Sequence, residues 1–275
     1  MPAQHPRPAW DPDQYLRHAD HRARPFLDLL ARVQDPPAPA GNLRVADIGC
    51  GPGNVTALLT ERWPAAHVTG FDTSQAMLDQ ARTAYEGPTP GGGSMDFQEA
   101  DAATWVPDEM YGLIVSNAAL QWVPDHVKAF PVWLDGLAPG GTFAFQVPGN
   151  FTAPSHRILG ELAASPRWRD RLDGRLRLSP VLEPAEYLTT LLGLGCEADV
   201  WETTYLQVLH GEDPVLDWVK GTALRPVLTE LGDDEDAVAA FTAEYRAALR
   251  EAYPPTPHGT VFPFRRLFAV ARRPA

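Results

Sequence analysis

The segment Asp47-Ile48-Gly49-Cys50-Gly51-Pro52-Gly53-Asn54, entered through the run Leu43-Arg44-Val45-Ala46, reads as a buried strand that turns on glycine into a helix. Glycines at alternate positions let a backbone turn sharply and leave no side chain between it and a ligand, and a following helix offers N–H groups to a carboxylate. That is main-chain binding of a nucleotide-like ligand. A dinucleotide fingerprint would place a third glycine or an alanine at position 54, where this chain has Asn54. Asp47 would accept from an ammonium on the ligand or brace the loop. Cys50 has the size of a small packing residue, which competes with any reading of it as a thiol nucleophile.

Three further polar residues close apolar runs. Asp72 ends Gly70-Phe71-Asp72 and is followed by Thr73; a carboxylate about twenty positions beyond the glycine loop can accept both ribose hydroxyls. Asp101, followed by Ala102, ends the next run and can accept from the exocyclic amine of adenine, and Asn117 ends the one after. Any one of them alone is equally an ordinary helix cap or turn former. Their succession carries the inference, because ligands of doubly wound sheets bind beyond the carboxyl ends of the strands.

The elements that must position these residues are short apolar runs alternating with amphipathic stretches, the pattern of an α/β sheet with crossover helices. Strands are expected over 44–49, 67–72, 95–100, 111–117 and 141–147. Helices are expected over 55–62 and 74–85, the second capped by Ser74 with Met77, Leu78, Ala81 and Tyr85 on one face. Residues 87–94 read as a glycine and proline loop. The second half gives helices over 155–172, 184–194, 214–231 and 236–253 and long strands over 197–209 and 261–272. We read 1–275 as one domain. Within it, 1–40 is an N-terminal helical lid segment, 41–148 the cofactor-binding half, 149–195 and 210–258 helical cap insertions, and 196–209 and 259–275 closing strands.

At 275 residues, 44% hydrophobic and 21% charged, the chain can bury a sizeable core. Its 23 basic and 35 acidic residues leave a formal charge of −12, which argues against nucleic acid or a membrane surface as partner and suits a cationic ligand. Only Lys128 and Lys220 are lysines, so an arginine by itself is weak evidence of a site. Two cysteines, Cys50 and Cys196, make no disulfide framework, and Met1 to Trp10 lacks the apolar stretch of a secretory signal. A reducing cytoplasm is expected.

Further motifs extend from Trp10-Asp11-Pro12, Tyr15-Leu16, Arg22 and Arg24-Pro25 through Arg62-Trp63-Pro64-Ala65-Ala66 to Leu120-Gln121-Trp122-Val123-Pro124-Asp125-His126. They continue in Trp201-Glu202-Thr203-Thr204-Tyr205, Leu224-Arg225-Pro226 and Phe264-Arg265-Arg266-Leu267-Phe268, the last with Arg265 where a proline is usual. With the Gly-x-Gly-x-Gly loop, these motifs resemble, over nearly the whole chain, the trans-aconitate 2-methyltransferase family within the class I S-adenosylmethionine-dependent methyltransferases. The loop is shared by the whole class; the Leu120 to His126 and Leu224 to Pro226 motifs are much narrower.

The resemblance implies a Rossmann-like α/β fold, with a mostly parallel seven-stranded sheet, an antiparallel last strand and a helical cap. It also implies methyl transfer from S-adenosylmethionine to a carboxylate of trans-aconitate, giving a monomethyl ester and S-adenosylhomocysteine, with no metal. Cofactor binding would fall to Asp47, Gly49, Gly51, Gly53, Asn54, Asp72, Thr73, Asp101, Ala102 and Asn117. A carboxylic acid is already ionised at neutral pH, so no catalytic side chain is required. Arginine forks suit the tricarboxylate, which makes Arg24, Arg225 and Arg266 candidates, with Tyr15, Trp122, His126 and Tyr205 as walls or polar partners. For the arginines the competing reading is a surface ion pair, and for the aromatics core packing. If the last strand is antiparallel, its beginning lies beside the carboxyl ends of the others, which favours Arg266. Arg225 is expected in a turn that breaks a helix at Pro226. Alternatives are another small or carrier-bound acid as acceptor, or a noncatalytic S-adenosylmethionine-binding regulatory protein. No obligate protein partner is evident.

Overall fold

A computed structural model describes residues 19–38, 42–172 and 181–275. Eight strands, β1 (Arg44–Ile48), β2 (His67–Asp72), β3 (Gly87–Pro88), β4 (Ser94–Glu99), β5 (Tyr111–Asn117), β6 (Leu137–Pro148), β7 (Glu197–Leu209) and β8 (Thr260–Arg272), form one sheet in the order β3-β4-β2-β1-β5-β6-β8-β7. β1, β2, β4, β5 and β6 pair in parallel, and β8 runs antiparallel to β6, matching Pro148 with Arg266 and Gln146 with Phe268. The order reverses between β1 and β5, the switch point at which doubly wound sheets bind ligands. The eighth strand is the two-residue β3, antiparallel to β4 within the stretch expected as loop.

The chain divides into two compact units. Among the described residues one comprises 19–38, 42–148, 181–203 and 266–275. All seven residues of β5 are buried, as a central parallel strand covered on both faces requires. Helix Gln75–Tyr85 starts where Ser74 Oγ accepts from the Met77 N–H at 3.5 Å, and it buries Met77, Leu78 and Ala81. The aromatic centre of this unit is Phe130, Trp133, Phe143 and Phe145, with Phe130 and Phe143 edge to face at 5.0 Å. Helix Pro184–Gly193, opened by a reciprocal Glu183/Glu186 capping box, packs Tyr187 onto Phe145 with ring centroids 5.1 Å apart.

Among the described residues the other unit comprises 149–172 and 204–265. Its core gathers Trp168, Trp218, Phe241, Tyr245, Phe262 and Phe264. The hydroxyl of Tyr245 donates to the Ser155 carbonyl at 2.9 Å, and the Ser155 N–H donates to the Tyr253 hydroxyl at 3.0 Å.

Two expected helices are each two. The 155–172 stretch divides into Pro154–Ala163 and Arg169–Leu172, because Pro166 disfavours helix at Ser165 and cannot donate its own backbone bond. The 214–231 stretch divides at Gly221 into Pro214–Lys220 and Arg225–Leu231. Arg225 therefore begins a helix instead of lying in a turn that breaks one: Pro226 sits in the first turn, where its missing N–H costs nothing. Among the described residues no helix is long and apolar enough to cross a membrane.

Candidate functional site

β1 ends on Ile48, and the chain then turns on residues with left-handed φ: Gly49 at 77°, Gly51 at 57° and Gly53 at 81°. The Gly49 and Cys50 N–H groups both donate to the Phe71 carbonyl, at 2.7 and 3.0 Å, which ties the loop to the end of β2. Two of these glycines do different jobs. A Cβ at Gly49 would stand 2.2 Å from the Ala119 Cβ, so the segment after β5 can approach only a glycine. A Cβ at Gly51 would meet nothing within 4 Å, so this glycine faces open space. The helix begins at Ala57, two residues later than expected.

Two carboxylates flank the loop. Asp72 Oδ2 accepts the Gly51 N–H at 2.9 Å, and Asp72 Oδ1 accepts the Ser74 N–H at 2.8 Å. Burial raises the pKa of Asp72 against the stabilising effect of those bonds. Asp47 is fully buried. Its Oδ2 accepts from Thr56 Oγ1 at 2.7 Å, while its Oδ1 has no hydrogen-bond partner among the described residues. Desolvation pushes its carboxyl up to about 7, with the negative charge of Asp72 adding in the same direction. Burial likewise drives the Cys50 thiol well above its usual value, keeping it protonated.

The residues present fit S-adenosylmethionine better than a phosphate. The Gly51 N–H, which a phosphate loop would offer to its anion, is engaged by Asp72. A buried, half-satisfied carboxyl calls for a cation or a donor. The open side of Gly51 supplies space for a ligand beside that pair.

The other expected cofactor residues lie in the same unit. Asn54 has a buried Oδ1 without a hydrogen-bond partner among the described residues, Thr73 is exposed, and Ala102 is half-buried. Asp101 Oδ1 accepts the Ala103 N–H at 2.9 Å, so this carboxylate does cap a turn. Asn117 is buried at the end of β5, where the next residue, Ala118, takes a left-handed φ of 53°.

The expected acid-binding residues fall in both units. Arg266 is 5% exposed on β8, and its Nη1 donates to Gln146 Oε1 at 3.3 Å. Trp122 is 36% exposed in the 3-10 turn Leu120–Trp122, and Arg24 is exposed on helix Ala19–Leu30. His126 is buried, its Nε2 2.7 Å from the Tyr187 hydroxyl, and desolvation lowers its pKa. Tyr205, buried, and Arg225 lie in the other unit. Tyr15 lies outside the described residues.

Three polar side chains escaped the sequence reading. Thr56 holds Asp47, Ser116 Oγ donates to the Ile48 carbonyl at 2.7 Å, and Gln146 Nε2 donates to Asn117 Oδ1 at 2.6 Å. The available signal was a lone polar residue inside an apolar run, as Gln146 is in Phe143-Ala144-Phe145-Gln146-Val147.

Residues 45–141 match the methyltransferase domain family. Trans-aconitate 2-methyltransferase of Streptomyces avermitilis is 66% identical over 98% of this chain and 98% of its own length. The enzyme of the same name from Streptomyces coelicolor is 63% identical over 97% of this chain and 88% of its own. Among solved structures, Haemonchus contortus phosphoethanolamine N-methyltransferase 2, in complex with phosphomonomethylethanolamine and S-adenosylhomocysteine, superposes with a TM-score of 0.51 at 15% identity, covering 92% of this chain and 53% of that one; it shares the fold. With the glycine loop in place and identity this high over almost the entire length, the chain belongs to the trans-aconitate 2-methyltransferase family.

Proposed function

We propose that this protein transfers a methyl group from S-adenosylmethionine to one carboxylate of trans-aconitate, releasing a monomethyl ester and S-adenosylhomocysteine. The observation that carries the acceptor is the 66% identity to the Streptomyces avermitilis enzyme across 98% of both chains. The donor has independent support in the loop that closes Gly51 onto Asp72 beside the half-satisfied Asp47.

S-adenosylmethionine supplies a methyl carbon made electrophilic by its positive sulfur. We assign its ribose to Asp72, its adenine to Asp101, Ala102 and Thr73, and its amino-acid end to Asp47 with the main chain of Gly49, Gly51, Gly53 and Asn54. The acid needs no general base, since a carboxyl with a pKa near ~4 is ionised at pH 7. Rate then comes from holding oxygen, carbon and sulfur in line, which can contribute roughly 7 to 11 kcal/mol when the alignment is good. Arg266 is our first choice for a carboxylate of the acid, its guanidinium being buried in the same unit as the loop. Tyr15, Arg24, Trp122, Tyr205 and Arg225 are assigned to the acid on sequence grounds. We further take the partner to be this small molecule alone and the compartment to be the cytoplasm, in keeping with two free cysteines.

The test is incubation with S-adenosylmethionine and trans-aconitate, in competition with citrate, isocitrate and cis-aconitate, with the ester read by mass spectrometry. A trans-aconitate monomethyl ester is expected. Cofactor binding without that ester would overturn the acceptor assignment, and preferential methylation of a competitor would name a different one.

A further inference from the structure

Asn117, Gln146 and Arg266 form a continuous row on one face of the sheet. Asn117 is directly opposite Gln146 in the β5–β6 register, while Arg266 is opposite Pro148, two residues along from Gln146 and therefore on the same face. All three are buried, at 6%, 1% and 5% exposure. Arg266 Nη1 donates to Gln146 Oε1, and Gln146 Nε2 donates to Asn117 Oδ1.

The direction of these bonds is fixed by chemistry. A guanidinium has only donors, so the Gln146 atom that faces it must be the amide oxygen. The Gln146 amide nitrogen is thereby turned toward β5, and the Asn117 atom receiving it must be Oδ1. This leaves Asn117 Nδ2 as a pure donor that reaches no acceptor among the described residues. Across the sheet the polarity then changes: Asp72 and Asp47, at the ends of β2 and β1, accept, while Asn117 on β5 donates.

We propose that Gln146 is a positioning residue that sets the orientation of the Asn117 amide, and that Asn117 presents its Nδ2–H to a carboxylate. The inference rests on the methyl-transfer reading above. It shifts Asn117 from an unspecified cofactor contact to a carboxylate donor. Two carboxylates are available, that of the acceptor acid and the methionyl one of the cofactor, and the recognition chemistry is the same for both.

The test uses the full-length protein, equilibrium binding and side-chain amide NMR. Asn117→Asp keeps the oxygen that receives Gln146 but replaces the outward donor with an acceptor. Gln146→Glu places an acceptor against both neighbours, which forces the Asn117 amide to turn its oxygen outward. Each variant should weaken trans-aconitate binding to the S-adenosylhomocysteine complex by roughly tenfold to a hundredfold, the range for a hydrogen bond to a charged group. Affinity for S-adenosylhomocysteine should hardly change. If S-adenosylhomocysteine itself binds more weakly while 5′-methylthioadenosine, which lacks the amino-acid end, binds as before, the methionyl carboxylate is the one recognised. Independently of any ligand, the exchange-protected side-chain amide of the wild type should survive in Asn117→Asp, because it belongs to Gln146, and vanish in Gln146→Met. Loss of that amide in Asn117→Asp, or unchanged affinity for both carboxylates in Asn117→Asp and Gln146→Glu, overturns the proposal. A wild type that binds S-adenosylhomocysteine but neither binds nor methylates any acid refutes the function instead, and the methylthioadenosine and amide arms still decide the role of Gln146.

Discussion

Gly51→Ala separates the space a ligand would fill from the stability of the loop that would hold it. Gly51 has a φ of 57°, and a Cβ there meets nothing within 4 Å. The substitution therefore costs only the left-handed strain, about 1 to 2 kcal/mol, less a few tenths to ~1 kcal/mol regained by restricting the unfolded chain. The variant should fold and melt within a few degrees of wild type. If the open side of Gly51 is where the cofactor lies, the added methyl overpacks that contact by about 1 to 3 kcal/mol, weakening S-adenosylhomocysteine roughly five- to a hundredfold.

Gly49→Ala supplies the contrast. Its Cβ would stand 2.2 Å from the Ala119 Cβ at a φ of 77°, so two main-chain segments must separate, and the loss should be several-fold larger in stability. Circular dichroism melts and calorimetric titration with S-adenosylhomocysteine measure both quantities on each variant. A Gly51→Ala protein that binds S-adenosylhomocysteine as tightly as wild type would refute the placement of the ligand beside this loop, whatever its melting temperature.

Asp47, whose carboxyl burial pushes up to about 7, should release a proton when the cationic cofactor end binds at pH 6, seen as a buffer-dependent heat that Asp47→Asn abolishes. In the ligand-free protein the same group holds its proton to higher pH than in the unfolded chain, so its contribution to stability falls as pH rises from about 4 to about 7; denaturant melts of Asp47→Asn should lack that slope. His156 has the opposite sign: burial lowers it to about 4, the unfolded chain protonates first, and stability falls as pH drops from about 6.5 toward 4. His156→Gln should flatten that limb, and an unchanged profile would refute the lowered pKa of this imidazole. Tyr187→Phe leaves His126 Nε2 without its partner at 2.7 Å and should cost about 1 to 3 kcal/mol, measured as a lower denaturant midpoint.

What the sequence made legible follows the range of the interactions involved. β5 was readable because a strand buried on both faces is built on an apolar run, here Leu113 to Val115, and helix Gln75–Tyr85 because Ser74 and the Met77, Leu78, Ala81 stripe are local signals. The helix breaks near Pro166 and Gly221 were hidden because apolar spacing continues across them. Pro226 misled for the same reason, since a proline that stops one helix and one that starts the next look alike until the preceding turn is seen. At the site, the residue types at the strand ends could be read, but not what holds them. Asp101 is bonded to its own turn at Ala103, and Asp72 to Gly51, a pairing that joins two strands. Gln146 stands out as a polar residue in an apolar run, but what it does was illegible: its partners are 29 and 120 positions away, and the diagonal that links it to Arg266 exists only through the Pro148 to Arg266 register.

A chain with a formal charge of −12 that binds a polyanionic acid presents an apparent conflict, and its resolution lies in distance. At physiological ionic strength the Debye length is about 8 Å, so exposed carboxylates contribute little field at a site beyond that range. Exposed pairs such as Arg157 with Glu161 are neutralised locally and screened further. A buried guanidinium is screened far less. Arg266, 5% exposed and bonded through Gln146 to Asn117, is such a group, and on the proposed reading it acts on a carboxylate of the acid while Asp47 and Asp72 act on a cation. On the proposed reading, net charge bears on encounters with large polyanions and a handful of buried groups on which small ions are held. The two should separate experimentally: raising salt should leave affinity for S-adenosylhomocysteine nearly constant and change affinity for trans-aconitate only modestly, whereas a steep salt dependence of acid binding would mean that exposed arginines, and not Arg266, hold the acid.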